Sequence, residues 1–463
     1  MTTFREDTIA AIATPIGEGG ISVVRLSGSK AIEIADRAFR GRNSLASVAT
    51  HTAHFGRFVN SHGDLVDDVV STVFKQPHSY TGEDVVEVSC HGGMYLTKII
   101  LAELLDHGAR MAEPGEFTKR AFLNGRIDLS QAEAVADLIK ARTEAAQITS
   151  IQQLEGRLSS EIRILRERLI NLVSLIELEL DFVEEGLEFV TRSRITDEIS
   201  VVEDRINSMI DSYGVGKIYR EGVKVVLCGR PNVGKSSIFN MLLNSNRAIV
   251  TNIPGTTRDT IEESININGV IFTLNDTAGI RESDDTIENE GVLRTKAEIE
   301  TADILLFIID LSEGYTKTDS SIIENLAGVR ERKLMIIENK CDLINGSYNE
   351  MISSGLRTRE ATIVSAKTGF GLETLREKLS SLSANGSGLS DKSVIVTNIR
   401  HVNSLRDAHM NLEKAKLSLQ GGCTGEFVAL DLRATCNSLG EIIGEVTSDD
   451  ILTNIFSKFC IGK

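Results

Sequence analysis

The chain has 463 residues, with 66 acidic against 50 basic side chains and a net charge of −16. That balance excludes a broad basic face that grips nucleic acid by charge alone. At ~150 residues per domain the length predicts about three domains. Hydrophobic residues make up 41% of the chain, enough for ordinary globular cores. No apolar run approaches the ~20 residues that cross a bilayer, and the first residues form no apolar signal segment. Six cysteines show neither C-x-x-C nor zinc spacing, so a cytoplasmic protein without membrane contact is expected.

In chain order, residues 8–13 and 21–26 read as strands around the turn Gly17-Glu18-Gly19-Gly20. Residues 68–74 and 84–88 read as further strands and 95–105 as a helix, together an α+β domain. Prolines stand only at positions 15, 77, 114, 231 and 254, which leaves long stretches open to helix. Ser130-Gln131-Ala132-Glu133 has the pattern of a capping box. Leu154, Leu158, Ile162, Leu165, Leu169, Leu172 and Ile176 recur at steps of three and four, predicting one long amphipathic helix. Another helix is expected over 195–211, and Gly214-Val215-Gly216 reads as a linker.

Residues 224–228 form a short β-branched strand followed by Gly229-Arg230-Pro231-Asn232-Val233-Gly234-Lys235-Ser236. This is G-x-x-x-x-G-K-[ST] in its strand–loop–helix setting, the phosphate-cradling P-loop. Asn232, Val233, Gly234, Lys235, Ser236 and Ser237 are its expected nucleotide contacts. Glycines let backbone N–H groups turn toward phosphate, and the following helix N-terminus favours negative charge. Lys235 would neutralise the β- and γ-phosphates and Ser236 would ligate Mg²⁺. Thr251, Asn252, Ile253, Pro254, Gly255, Thr256 and Thr257 fit a loop that responds to the γ-phosphate, with Thr257 as the second Mg²⁺ hydroxyl. After a strand over 270–274 come Asp276, Thr277, Ala278 and Gly279; Asp276 would hold a Mg²⁺-bound water and the Gly279 N–H the γ-phosphate.

Ile280 stands where many signalling GTPases carry a water-orienting Gln. Another water-positioning group and another positive charge are therefore required; Arg258, Arg281 and the acidic residues of 281–290 are candidates. A buried strand over 334–338 leads to Asn339-Lys340-Cys341-Asp342, an N-K-x-D sequence. The Asp342 carboxylate would accept two N–H bonds from guanine, and adenine would leave it unpaired. Lys340 would lie along the base, and Ser365-Ala366-Lys367 would offer backbone N–H to guanine O6. GTP is thus the expected nucleotide. Asn385-Gly386-Ser387-Gly388 reads as a flexible exit before helical periodicity resumes at Ile399. The expected fold class is multidomain α/β and α. It comprises an α+β domain over 1–118, half of a helical domain over 119–217, an inserted P-loop GTPase domain with a Ras-like doubly wound sheet over 218–384, and the second helical half over 385–463.

Gly82-Glu83-Asp84, His91-Gly92-Gly93, Pro114-Gly115-Glu116-Phe117-Thr118, Arg120-Ala121-Phe122-Leu123-Asn124 and the terminal Phe459-Cys460-Ile461-Gly462-Lys463 complete a pattern. With the nucleotide motifs in order, the chain resembles the MnmE (TrmE) family of tRNA-modifying GTPases over essentially its whole length. The resemblance implies a folate-binding-like N-terminal domain and a homodimer. It implies an FAD-containing MnmG (GidA) partner in a heterotetramer, and addition of a carboxymethylaminomethyl or aminomethyl group to C5 of the wobble uridine of certain tRNAs. The carbon would come from 5-formyl- or methylene-tetrahydrofolate. K⁺ would replace an arginine finger, with Asn232, Thr251, Ile253 and Thr256 as its oxygen ligands, and Glu288 would position the water. Folate contacts fall on Arg25, Glu87, Arg126 and Lys463; at Arg126 the family often has Lys, which keeps the charge and changes the geometry. Cys460 is a candidate reactive thiol beside that centre or a packing residue of the tail. Ribosome-assembly GTPases share the nucleotide motifs, but the G-x-x-G sites at Gly17–Gly20 and Gly422–Gly425 lack basic flanks. A non-enzymatic switch is the other rival.

Overall fold

The structure, a computed structural model, describes residues 7–182, 189–245, 262–276, 301–326, 333–344, 361–383 and 394–463. Two compact units divide the chain: residues 1–139, 152–200 and 407–463 form one, and residues 140–151 and 201–406 the other.

In the first unit, strands β1 (Ile9–Ile12) and β2 (Ile21–Ser27) precede helix α1 (Ala31–Ala38). Strands β3 (Phe39–Gly41), β4 (Thr52–Val59), β5 (Leu65–Phe74) and β6 (Val85–His91) follow, then α2 (Met94–Asp106), β7 (Arg110–Met111) and α3 (Glu116–Leu123). The strand order is β3-β4-β5-β6-β2-β1-β7, antiparallel except where β1 pairs β7. Val24, Leu26, Val73, Val86 and Val88 bury one face against Ile34, Ile100 and Leu104 of α1 and α2. On β2 the alternation turns Arg25 to the opposite face, where Ile9, Ala11, Ala112 and Phe117 form a second core.

The helical part begins with α4 (Leu129–Lys140), α5 (Glu144–Leu154), α6 (Arg157–Asp181) and α7 (Arg192–Glu221). The capping box of α4 lies two residues earlier than expected. The Gln131 N–H donates to Asp128 Oδ1 at 3.0 Å, and the Asp128 N–H donates to Gln131 Oε1 at 2.9 Å. Ser130 instead donates its hydroxyl to Asp128 Oδ1. The single long helix expected from Leu154 to Ile176 is broken at Gly156, whose φ of +84° only glycine adopts cheaply. Leu154 therefore ends α5, its carbonyl accepting from Gln131 Nε2 at 2.8 Å. From Leu158 to Ile176 the expected positions are all buried along α6.

The second unit carries β8 (Val223–Cys228), α8 (Lys235–Ser245), β9 (Glu262–Ile267), β10 (Val270–Asp276), β11 (Ile304–Asp310), α9 (Lys317–Leu326), β12 (Lys333–Asn339), β13 (Thr362–Ile363) and α10 (Leu372–Ser383). The strand order is β13-β12-β11-β8-β10-β9, parallel except for the β9/β10 pair. Val225, Leu227, Leu274, Leu306, Ile308 and Ile337 form its core with Ile238 and Leu242 of α8 and Leu375 and Leu379 of α10. This is the doubly wound sheet read from the motifs. The Asn385–Gly388 exit lies outside the described residues. Helices α11 (Ile399–Gln420), α12 (Gly425–Ile443) and α13 (Asp449–Phe456) close the chain.

Gly214-Val215-Gly216 is not a linker: α7 runs through it to Glu221. Packing overrides the weak helix propensity of glycine here. Gly216 is buried against the Val396 backbone, where a Cβ would overlap the carbonyl oxygen. One turn back, Ser212 Oγ accepts from the Val396 N–H at 3.0 Å and donates to the Met209 carbonyl at 2.7 Å. Gly214 faces open space. Gly216→Ala should therefore destabilise the protein by about 1–3 kcal/mol, whereas Gly214→Ala should stabilise it by about 0.5–1 kcal/mol. Chemical denaturation of the two variants, which should shift in opposite directions, checks this.

Candidate functional site

The nucleotide motifs sit on loops at the carboxyl ends of β8, β12 and β13, the ligand-binding edge of a parallel sheet. Between β8 and α8 the backbone bends sharply: φ is +142° at Gly229, +62° at Asn232 and +98° at Gly234. Lys235 Nζ donates to the Gly229 carbonyl at 3.0 Å and to the Arg230 carbonyl at 2.8 Å. Its amine is thus folded back over the loop where phosphate oxygens would lie. Asn232, Ser236 and Ser237 are exposed while Val233 is buried beneath them. The exposed Asn232 amide oxygen and Ser236 hydroxyl are hard donors suited to K⁺ and Mg²⁺.

Asn339 joins three loops. Its Nδ2 donates to the Val233 carbonyl at 2.9 Å, and its Oδ1 accepts from the Ala366 N–H at 3.1 Å. Gly234 permits this approach, since a Cβ there would overlap Asn339 Nδ2. Lys340 takes a left-handed φ of +65° and pairs through Nζ with Asp310 Oδ2 at 2.6 Å. Asp310 also accepts from the Ser312 N–H and hydroxyl. Burial raises the Asp310 carboxyl, but the Lys340 and Ser312 bonds outweigh it and hold it below its ordinary value. Asp342 is exposed, with Oδ1 accepting from Ser365 Oγ at 2.6 Å. Ser365 is buried, Ala366 half-buried and Lys367 exposed. Neither Asp310 nor the arginine Arg230 was singled out by sequence reasoning; an Asp ending the apolar run Ile304–Ile309 was the available signal.

Thr251, Asn252, Ile253, Pro254, Gly255, Thr256, Thr257, Thr277, Ala278, Gly279 and Glu288 lie outside the described residues, as do Arg258 and Arg281. Asp276 is described as the last residue of β10.

In the first unit the structure brings Arg25, Glu87 and Lys463 together. Arg25 and Glu87 are cross-strand neighbours on β2 and β6, and Arg25 Nε donates to Glu87 Oε1 at 2.8 Å. Arg25 Cζ stands 5.7 Å from the ring centroids of both Tyr80 and Phe117, two aromatic neighbours that the sequence reading did not select. Its Nη1 reaches the Gly462 carbonyl at 3.5 Å. Gly462 has φ +95°, and a Cβ there would overlap the Ile12 carbonyl. Burial, followed by Arg25, pulls the Lys463 amine below its usual range, with Glu87 and Cys460 opposing. The Gly115 N–H donates to the Cys460 carbonyl at 3.4 Å, so the Pro114–Thr118 and Phe459–Lys463 sequences meet. The Cys460 thiol is exposed. Arg126 is exposed, its side chain passing near Gly82. This cationic, aromatic-flanked cluster fits a folate's carboxylates and flat donor-rich ring.

An ion cluster fixes α3 beneath it. Arg120 pairs with Asp7 at 2.7 Å, Glu116 at 3.0 Å and Glu83 at 3.2 Å; Arg110 pairs with Asp7 and Glu116. Burial raises the Asp7 and Glu116 carboxyls, yet the arginine hydrogen bonds outweigh it and leave both below their ordinary 3.8 and 4.5. Cys228, Cys436 and Cys90 are buried. Burial pushes the Cys228 thiol up to about 12 and the Cys436 thiol up to about 11, consistent with packing roles.

A doubly wound sheet with P-loop, N-K-x-D and S-A-K loops joined at one edge defines a P-loop protein of the GTPase type. A family model for the MnmE helical domain matches residues 129–460, and one for the GTP-binding protein TrmE N-terminus matches residues 8–126. The tRNA modification GTPase MnmE of Acetivibrio thermocellus is 44% identical over 461 residues, covering 99% of this chain and 100% of its own length. That of Salinibacter ruber is 45% identical over 460 residues, covering 99% and 100%. A solved structure of an Aquifex aeolicus Era variant bound to GDP.AlF4- is 27% identical and covers 41% of this chain and 66% of that chain, with a TM-score of 0.29. The chain belongs to the MnmE family of tRNA modification GTPases.

Two outcomes follow from the geometry. Asp310→Asn should weaken GDP binding by about tenfold, the order expected for losing a charge-assisted bond to Lys340, and titration with a fluorescent GDP reads this. Stability from Asp7 and Glu116 is complete above the ordinary carboxylate range and is lost as pH falls through their lowered folded values. Arg110 is the larger cause of the lowering and Arg120 the second guanidinium behind it. Arg120→Met removes that second contribution, so in an acid titration followed by circular dichroism the variant should unfold at a somewhat higher pH than the parent.

Proposed function

We propose that this protein hydrolyses GTP in the service of tRNA modification. The observation that carries the reading is the Asn339 junction, which sets phosphate and base loops at one sheet edge, in a chain matched end to end by curated relatives of that description. No described helix is long and apolar enough to cross a membrane.

In this reading Lys235 balances the β- and γ-phosphates, Ser236, Thr257 and Asp276 serve Mg²⁺, and Asp342 selects guanine. Asn232, with Thr251, Ile253 and Thr256, holds K⁺, which supplies positive charge in place of an arginine finger. Glu288 orients the attacking water. Arg25, Glu87, Arg126 and Lys463 bind a tetrahydrofolate whose one-carbon unit goes to C5 of a wobble uridine, and Cys460 lies beside that centre. The working assembly is a homodimer joined by an FAD-containing partner of the MnmG kind. Its support is the family membership together with the cationic cluster around Arg25.

Multiple-turnover GTPase assays should show hydrolysis stimulated by K⁺ and slow in Na⁺; equal rates in both salts would overturn the potassium assignment. Glu288→Ala should keep GTP affinity and lose turnover by about 10²-fold or more. Nucleoside analysis of tRNA from cells lacking the protein should show loss of the modified wobble uridine.

A further inference from the structure

Arg230 occupies a variable position of the P-loop pattern, and no nucleotide contact is assigned to it. Its backbone and side chain nonetheless do two connected things. The Arg230 carbonyl accepts from Lys235 Nζ, as the Gly229 carbonyl does. Its guanidinium is anchored outside the loop: Nε donates to Asp319 Oδ1 at 2.9 Å and Nη1 to Glu313 Oε2 at 3.0 Å. Asp319 is fully buried. Its other oxygen accepts from the Thr316 N–H at 2.9 Å and the Thr316 hydroxyl at 2.7 Å. Thr316-Lys317-Thr318-Asp319 is thus a capping box at the start of α9 whose carboxylate also holds the P-loop arginine.

We propose that Asp319, acting through Arg230, is a positioning residue for the phosphate-binding lysine. A carboxylate with no freedom of its own fixes the guanidinium. The guanidinium fixes the Arg230 peptide, and that peptide's carbonyl sets where the Lys235 ammonium rests. Glu313, whose side chain is 59% exposed, contributes less, because an ion pair in water is weak. Planar two-point holding of this kind needs arginine; a lysine keeps the charge and loses the fork.

This inference rests on the nucleotide reading above, and its experiment separates the two. Lys235 reaches the β-phosphate, which GDP has and GMP lacks. Competition against a fluorescent GDP gives the affinity ratio of GDP to GMP for the parent, Asp319→Asn and Arg230→Lys proteins. The ratio should fall by about tenfold in both variants, the scale of a displaced charge-assisted bond. A merely structural role would weaken both nucleotides alike, and an unchanged ratio in both variants overturns the proposal. Because a ratio does not depend on the folded fraction, partial misfolding of the Asp319 variant leaves it readable. Should that variant not fold at all, Arg230→Lys decides alone. A parent protein that binds GDP no better than ADP would instead sink the nucleotide reading itself.

Discussion

The nucleotide edge depends on one buried amide. Asn339 is 2% exposed and spends both ends of its carboxamide on backbone: one on the loop after β8, the other on the loop after β13. Unmade, each of these bonds would leave a buried polar group unpaired, a cost of ~1–3 kcal/mol apiece. The tie also dictates its neighbour, because only a residue without Cβ fits at position 234. The phosphate-side and base-side loops are therefore held at a set spacing by hydrogen bonds within the protein. Arg230, Asp310 and Asp319 extend the same logic outward. Two ion pairs result: Arg230 of the P-loop is tied to Asp319 on α9, and Lys340 to Asp310 at the end of β11.

The other centre is organised by the period of a strand. On β2 the even positions Val24 and Leu26 enter the core under α1 and α2, so Arg25 must emerge on the far side. There it meets Glu87 across the strand pair, two aromatic rings, and the returning tail. At Gly462 a Cβ would overlap the Ile12 carbonyl, and at Gly115 the Phe456 carbonyl. The buried ion cluster below, with three carboxylates around Arg120, anchors the helix that presents Phe117.

Much of this was legible in the residue order. The P-loop, N-K-x-D and S-A-K sequences carry their own local geometry, since glycine positions and strand–loop–helix context follow from backbone sterics. The α6 stripe was readable because burial there is one-sided and regular. What escaped the reading depends on partners far along the chain. Gly214 and Gly216 look like a linker until Val396 is seen against Gly216. Strand β4, with His54, Gly56 and Arg57 among its residues, has too few apolar positions to announce itself. Asp128 caps α4 in place of Ser130 because Gln131 returns the bond, a choice between two overlapping capping patterns that spacing alone does not make. Tyr80 and Phe117 come to Arg25 only through sheet and tail packing, and no local periodicity records it.

The burial of the cysteines has a practical corollary. Thiols held protonated by their surroundings do not attack electrophiles near neutral pH, which removes Cys228 and Cys436 from ordinary alkylation chemistry. Cys423 and Cys460 are the exposed ones. With Cys423 replaced, a maleimide dye would favour the tail beside Arg25, giving the molecule a built-in attachment point for distance measurements from that cluster.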